Sequence, residues 1–195
     1  MKIKISFFAL MLLLSLLVCG SVYSPLPLLA AAMHEAAHII AARARSVSLN
    51  SFDIGIFGAR LGISKGIYSY TDEIIVCAAG PAVNLLAALL LSIFKTLSHL
   101  GGEAMDIFIL SSVSLCAINL LPIRSLDGGR ILSAILSHLF SIKVSDICVD
   151  ILSFLSLVII WFVSLYLLLK SGASLSLFIF SISLFANIFL EHPQK

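Results

Sequence analysis

The sequence predicts an all-α polytopic membrane protein of about six transmembrane helices, with a short β-hairpin at the membrane surface after the second helix. Three observations carry this prediction. Of 195 residues, 61% are hydrophobic and 11% charged, and the mean hydropathy is +1.16; a soluble domain carries about a quarter charged residues. Apolar runs long enough to cross a bilayer alternate with short polar segments along the whole chain. One stretch, residues 46–70, breaks that rhythm with apolar residues spaced by two. The length is used up by the spans and their loops, so a single domain over 1–195 is expected, with no separate soluble domain. A net charge of only +2 and no basic run make the lipid bilayer, and not nucleic acid, the expected environment. Cys19, Cys77, Cys116 and Cys148 are scattered without a C-x-x-C pair, and read as small apolar residues, not as a disulfide framework or zinc knuckle.

Taken in order, Lys2 and Lys4 precede an apolar run over about 5–22. The run is long and lacks a small-x-small cleavage site. Leu16-Leu17-Val18-Cys19 departs from a lipoprotein box at Val18, so a retained first span is favoured over a signal peptide. Pro25 and Pro27 lie too close together for a helix interior, and Tyr23 to Pro27 reads as a turn. The second span covers about 28–44 and ends in Arg43 and Arg45. In 46–70, Phe52, Ile54 and Ile56 alternate with Asp53 and Gly55, which predicts short strands or a hairpin; an amphipathic loop is an equal alternative. An exposed strand edge there could pair with an extended segment of another protein.

Thr71-Asp72-Glu73 is a good helix start, and the third span runs to about Phe94. It contains Ala79-Gly80-Pro81-Ala82-Val83-Asn84, where Gly-Pro is either a tolerated kink or a point of close helix approach. A polar loop over 95–106 leads to a fourth span over about 107–121, stopped by Pro122. Residues 131–145 read as an interfacial or short amphipathic helix. A fifth span over about 150–169 and a sixth over about 175–190 hold no cluster of charge. Trp161 and Tyr166 read as packing or interface aromatics.

The chemistry concentrates in the second span. His34-Glu35-Ala36-Ala37-His38 places two imidazoles at i and i+4, one above the other on a helix face, as two ligands of one zinc ion require. Glu35 stands beside them, where a carboxylate can take a proton from an attacking water. A lone histidine in an apolar segment is usually a packed one. Two histidines and a glutamate together in a bilayer span are costly, and mark a functional site. The pair lacks a carboxylate ligand. Leu126-Asp127-Gly128-Gly129 would by itself be a surface turn. Beside a two-histidine half-site, however, Asp127 is the natural third ligand, since two His and one acid leave a position open. The two glycines permit a tight turn, so Asp127 is expected on a bent segment. One zinc per chain suits the set best, and other divalent metals are admitted.

With the N-terminus inside and six spans, ten of the twelve Lys and Arg fall on the cytoplasmic side, and only Lys95 and Lys170 on the other. That asymmetry predicts cytoplasmic N- and C-termini. Both half-sites then lie in the cytoplasmic half of the membrane.

His-Glu-Ala-Ala-His, Ala-Gly-Pro-Ala-Val-Asn and Asn-Leu-Leu-Pro-Ile-Arg-Ser-Leu-Asp-Gly-Gly-Arg, in this order on successive spans, resemble the site-2 protease family of intramembrane zinc metalloproteases. The resemblance covers about 28–130, the family's three-helix catalytic core, with 5–22, 150–169 and 175–190 as accessory helices. It implies that His34, His38 and Asp127 hold zinc and that Glu35 is the catalytic acid/base. It also implies that Asn119 is a polar group near the metal that holds substrate or the oxyanion. The implied activity is hydrolysis of a peptide bond in a membrane-associated protein, within or near the cytoplasmic half of the bilayer. The small six-span layout is similar to the bacterial sporulation subgroup. That likeness implies a bacterial cell membrane, a pro-sigma factor or other regulator as substrate, and regulatory membrane proteins as further partners. Two departures stand out. Ser125 replaces the family's usual proline before Leu-Asp-Gly. The chain also ends soon after the sixth expected span, without the nucleotide-sensing CBS domain of many sporulation members and without a PDZ-like insertion. Two rival readings remain: a metal-ion or proton transporter, against which there is no inverted-repeat pairing, and an inactive partner-binding relative, against which Glu35 and Asp127 are intact.

Overall fold

The computed structural model describes residues 2–5, 22–47, 49–55, 58–63 and 69–171. The bulk of the expected first span and the whole of the sixth lie outside the described residues. The elements are β1 (Lys2–Ile5), α1 (Pro25–Ala44), β2 (Leu49–Gly55), β3 (Gly58–Ile63), α2 (Tyr70–Ser98), α3 (Glu103–Asn119), α4 (Asp127–Leu139) and α5 (Ile142–Ser171). The chain divides into two units, Met1–Asn119 and Leu120–Lys195.

In the first unit, two prolines open α1. Pro25 and Pro27 both lie in its first turn, where the expected reading put a turn. The reason is that first-turn N–H groups have no intrahelical partner, so proline loses nothing there and its fixed φ suits the helix. The other end closes on a Schellman motif. Ser46 takes a left-handed conformation (φ 55°), its N–H donates to the Arg43 carbonyl, and the Val47 N–H donates to the Ala42 carbonyl. Val47 then packs with Ala42 and with Val76 of α2. Helix α2 starts from a capping box. The Thr71 N–H donates to Ser69 Oγ at 3.3 Å, and the Ser69 N–H returns to Asp72 Oδ2 at 3.3 Å. Arg45 at the end of α1 donates to Asp72 Oδ1 at 2.6 Å, tying the two helix ends together.

Helices α1, α2 and α3 pack on one another. Each contributes a stripe of buried residues at helical spacing. The stripes are Ala30, His34, Ala37, His38 and Ala42 in α1; Val76, Gly80, Asn84 and Ala88 in α2; and Phe108, Ser112 and Cys116 in α3. The residues are mostly small, which lets backbones approach closely where lipid gives no hydrophobic drive to packing. The strands form a sheet in the order β1-β2-β3, with β2 parallel to β1 and antiparallel to β3.

In the second unit, α4 spans Asp127–Leu139, earlier than the amphipathic helix expected over 131–145. Helix α5 begins at Ile142, eight residues before the expected start of the fifth span. The charges Lys143, Asp146 and Asp150 lower hydropathy without ending a helix; Asp146 and Asp150 are paired, as described below. Ser145 Oγ donates to the Ser133 carbonyl at 2.9 Å and joins α4 to α5.

Among the described residues, three helices are long and apolar enough to cross a membrane: Pro25–Ala44, Tyr70–Ser98 and Ile142–Tyr166. Large apolar side chains such as Leu86, Leu90, Phe154 and Phe162 are exposed on their outer faces. Such faces are stable only in lipid. The chain is an integral membrane protein.

Candidate metal centre

His34 and His38 come together as the i, i+4 spacing requires. Both are buried, at 4% and 5% exposure, and their rings meet edge to face with centroids 4.7 Å apart. What aims them is α2. His38 Nδ1 lies 2.7 Å from the Val76 carbonyl oxygen. A carbonyl only accepts, so Nδ1 carries the proton and Nε2 keeps its lone pair. Pro81 supplies no N–H to the carbonyl four residues back, that of Cys77, next to the Val76 carbonyl that His38 meets. One turn on, Gly80 faces the rings. A Cβ there would stand 2.7 Å from His34 Nε2 and closer still to His38 Nε2. Only glycine leaves that space open, so the Gly-Pro pair marks a close approach. A further turn on, fully buried Asn84 places its amide Nδ2 3.2 Å from His34 Nδ1. Both Nδ1 atoms are thus engaged, and both Nε2 atoms point to the space that Gly80 vacates. Two converging Nε2 atoms, with the His38 Nδ1–H donating outward to a carbonyl, are the pattern of a histidine metal site. The donor set fits zinc.

Glu35 is half-buried on the same helix, one residue from His34. Asn119 is the last residue of α3, and its Nδ2 donates to the Leu115 carbonyl one turn back at 2.9 Å.

Asp127 lies in the second unit as the first residue of α4, where a carboxylate meets the positive end of the helix dipole. The bent segment expected around it lies just before it. The Ile123 N–H closes a three-residue turn about Pro122 onto the Leu121 carbonyl at 2.7 Å, and the Leu126 N–H reaches the Ile123 carbonyl at 2.8 Å. Gly128 and Gly129 serve this packing, not a turn of their own. A Cβ on Gly128 would lie 2.6 Å from the Leu121 carbonyl oxygen, and one on Gly129 2.7 Å from the Arg124 nitrogen. Arg124 fastens the segment to α5. Its Nε donates to Asp150 Oδ1 at 2.8 Å, its Nη1 to Asp146 Oδ1 at 3.1 Å, and its Nη2 to the Asp146 carbonyl at 3.0 Å. Its backbone N–H donates to Ser153 Oγ at 2.9 Å.

Sequence reasoning assigned no role to Val76, Asn84 or Arg124. For Asn84 a signal was present: a polar residue at i+4 from Gly80, inside an apolar span, needs a partner. For Val76 there was none, because any residue type can offer a carbonyl.

Residues 102–163 match the family model described as Peptidase family M50. A protein of Synechocystis sp., named as a predicted zinc metalloprotease, is 30% identical over 105 residues, or 52% of this chain. The chain spans 28% of that relative's length. Among solved structures, the site-2 protease from Methanocaldococcus jannaschii superposes with a TM-score of 0.66 at 21% identity, over 100% of this chain and 93% of the other. The fold is that of a site-2 protease. The M50 match takes in Asp127 and the Arg124 segment, while the His34–His38 pair stands on its own geometry.

Proposed function

We propose that this chain is an intramembrane zinc metalloprotease that hydrolyses a peptide bond of a membrane-associated protein. One observation carries the reading: on a His-Glu-x-x-His helix, both imidazoles turn their Nε2 atoms to the space left by Gly80, with both Nδ1 atoms engaged. The M50 match and the likeness to a zinc metalloprotease support it. His34 and His38, with Asp127 as the third ligand that the sequence pattern supplies, are the residues assigned to hold one zinc per chain, two His and one acid leaving a position open. Bound zinc supplies Lewis acidity and lowers the pKa of a coordinated water to about 7.

Glu35 takes the proton of the attacking water and delivers it to the leaving amine nitrogen. Asn119 holds the substrate backbone beside the scissile bond. A helical substrate hides its carbonyls in hydrogen bonds and must unwind before attack. The hairpin of β2 and β3, at the membrane surface, offers an edge to which the unwound segment adds as a strand. Six spans with cytoplasmic termini agree with the ten-to-two distribution of Lys and Arg. A bacterial cell membrane and a pro-sigma factor or similar regulator as substrate follow from the likeness to the sporulation subgroup.

The test is co-expression of the wild type or Glu35→Gln with a tagged library of membrane-tethered bacterial proteins, scoring shortened products. The expected result is a product formed by the wild type alone and lost on zinc chelation. Equal cleavage by folded Glu35→Gln would overturn the assignment.

A further inference from the structure

We propose that Asn84 is a positioning residue for His34, and that its amide presents oxygen, not nitrogen, to the ring. The proposal rests on the metal reading above and deepens it. Through Asn84 the chain selects which tautomer of His34 forms, and hence whether that ring can bind a metal.

The two histidines differ in how firmly their protons are placed. His38 faces a backbone carbonyl, which in the neutral ring leaves no choice: Nδ1 carries the proton and Nε2 the lone pair. His34 faces an amide, which has a donating end and an accepting end. With Nδ2 toward Nδ1, the amide donates, the His34 proton moves to Nε2, and Nε2 is lost as a ligand. In that arrangement the Asn84 oxygen is also buried with no hydrogen-bond partner. A half-turn about the Cβ–Cγ bond exchanges two groups of nearly equal size and brings Oδ1 against the Nδ1 proton. The NH2 group then takes the place of the unpaired oxygen, so the number of pairs does not decide between the two. The ligand role assigned to His34 does, because only the accepting amide leaves the Nε2 lone pair facing the space that Gly80 opens. Bulk water is a poor substitute for the amide, since Asn84 is 0% and His34 4% exposed. Outer partners of this kind fix the ring and its tautomer, and their loss costs about 10–100-fold in metal affinity.

The proposal separates Asn84→Asp from Asn84→Leu. Aspartate can only accept, so it keeps the required bond; leucine fills the space and offers none. The full chain in lipid nanodiscs is titrated with zinc against a chromophoric chelator, with thermal unfolding of each metal-free variant as the fold control. Asn84→Leu is expected to bind zinc about 10–100-fold more weakly, and Asn84→Asp to bind at least as tightly as the wild type. Equal loss in both variants, or no loss in Asn84→Leu, overturns the proposal. A second measurement needs no Asn84 variant. In metal-free wild type labelled with 15N-histidine, with signals assigned by comparison with His38→Gln, the His34 proton is expected on Nδ1. A proton on Nε2 overturns the proposal. A wild type that takes up no zinc defeats the metal reading instead, and the metal-free spectrum still decides the role of Asn84.

Discussion

Gly80 lies directly against the Nε2 atom of His38, so closely that no Cβ fits between the α2 backbone and the ring. The same missing Cβ faces His34 Nε2. The absence of one methyl group is therefore what leaves room for an ion. Gly80→Ala is expected to push both rings aside and to weaken zinc binding by more than about tenfold, at a stability cost of about 1–3 kcal/mol from overpacking. Zinc competition titration on the folded variant checks it. Unchanged affinity would mean that the ligand atoms lie elsewhere.

Asp127 is the third proposed ligand, so Asp127→Asn is expected to lose zinc together with cleavage. Glu35→Gln is expected to lose cleavage and keep zinc. Metal content per chain, measured by mass spectrometry beside product formation, distinguishes a ligand from a proton carrier. Glu35→Gln protein that comes out metal-free would reassign that residue.

Arg124 ties the segment before Asp127 to Asp146 and Asp150 through its whole guanidinium group. Hydrogen bonds between charged groups contribute about 1.5–3 kcal/mol when buried, and less where solvent screens them, as at this half-exposed cluster. Arg124→Gln is expected to cost about 1–2 kcal/mol on that scale. A double-mutant cycle with Asp146→Asn should give a positive coupling energy. Additive effects in reversible unfolding would show that the pairing contributes nothing.

Asp72 has two tasks, accepting from the Ser69 N–H in the capping box and from Arg45. Arg45 is exposed, and its removal should cost at most about 1 kcal/mol. Asp72→Ala removes the cap as well and should cost about 1–2 kcal/mol. Comparing the unfolding midpoints of Arg45→Ala and Asp72→Ala tests the order.

The candidate site was partly legible in the sequence because its two histidines obey local geometry. His34 and His38 meet because a helix repeats every 3.6 residues, and a motif inside an apolar span declares its own helix. Helix α2 was legible for the same reason, from Thr71-Asp72-Glu73 and the long apolar run that follows. Pro25 and Pro27 misled, since proline breaks a helix interior but not a first turn, and hydropathy cannot tell the two apart. The early start of α5 was hidden by Asp146 and Asp150, whose partner Arg124 lies more than twenty residues back.

The sequence by itself determined that the chain belongs in a membrane, where the histidine pair lies along it, and which acid stands beside that pair. These depend on composition and on contacts within a turn or two of helix. The tertiary structure alone decided that the Val76 carbonyl holds His38, that Gly80 keeps the space between the two ring nitrogens open, and that Asn84 meets His34. Those contacts join residues 38 to 50 positions apart. They exist because small residues let α1 and α2 approach until a backbone carbonyl and an amide can reach the rings, a distance that no local pattern encodes.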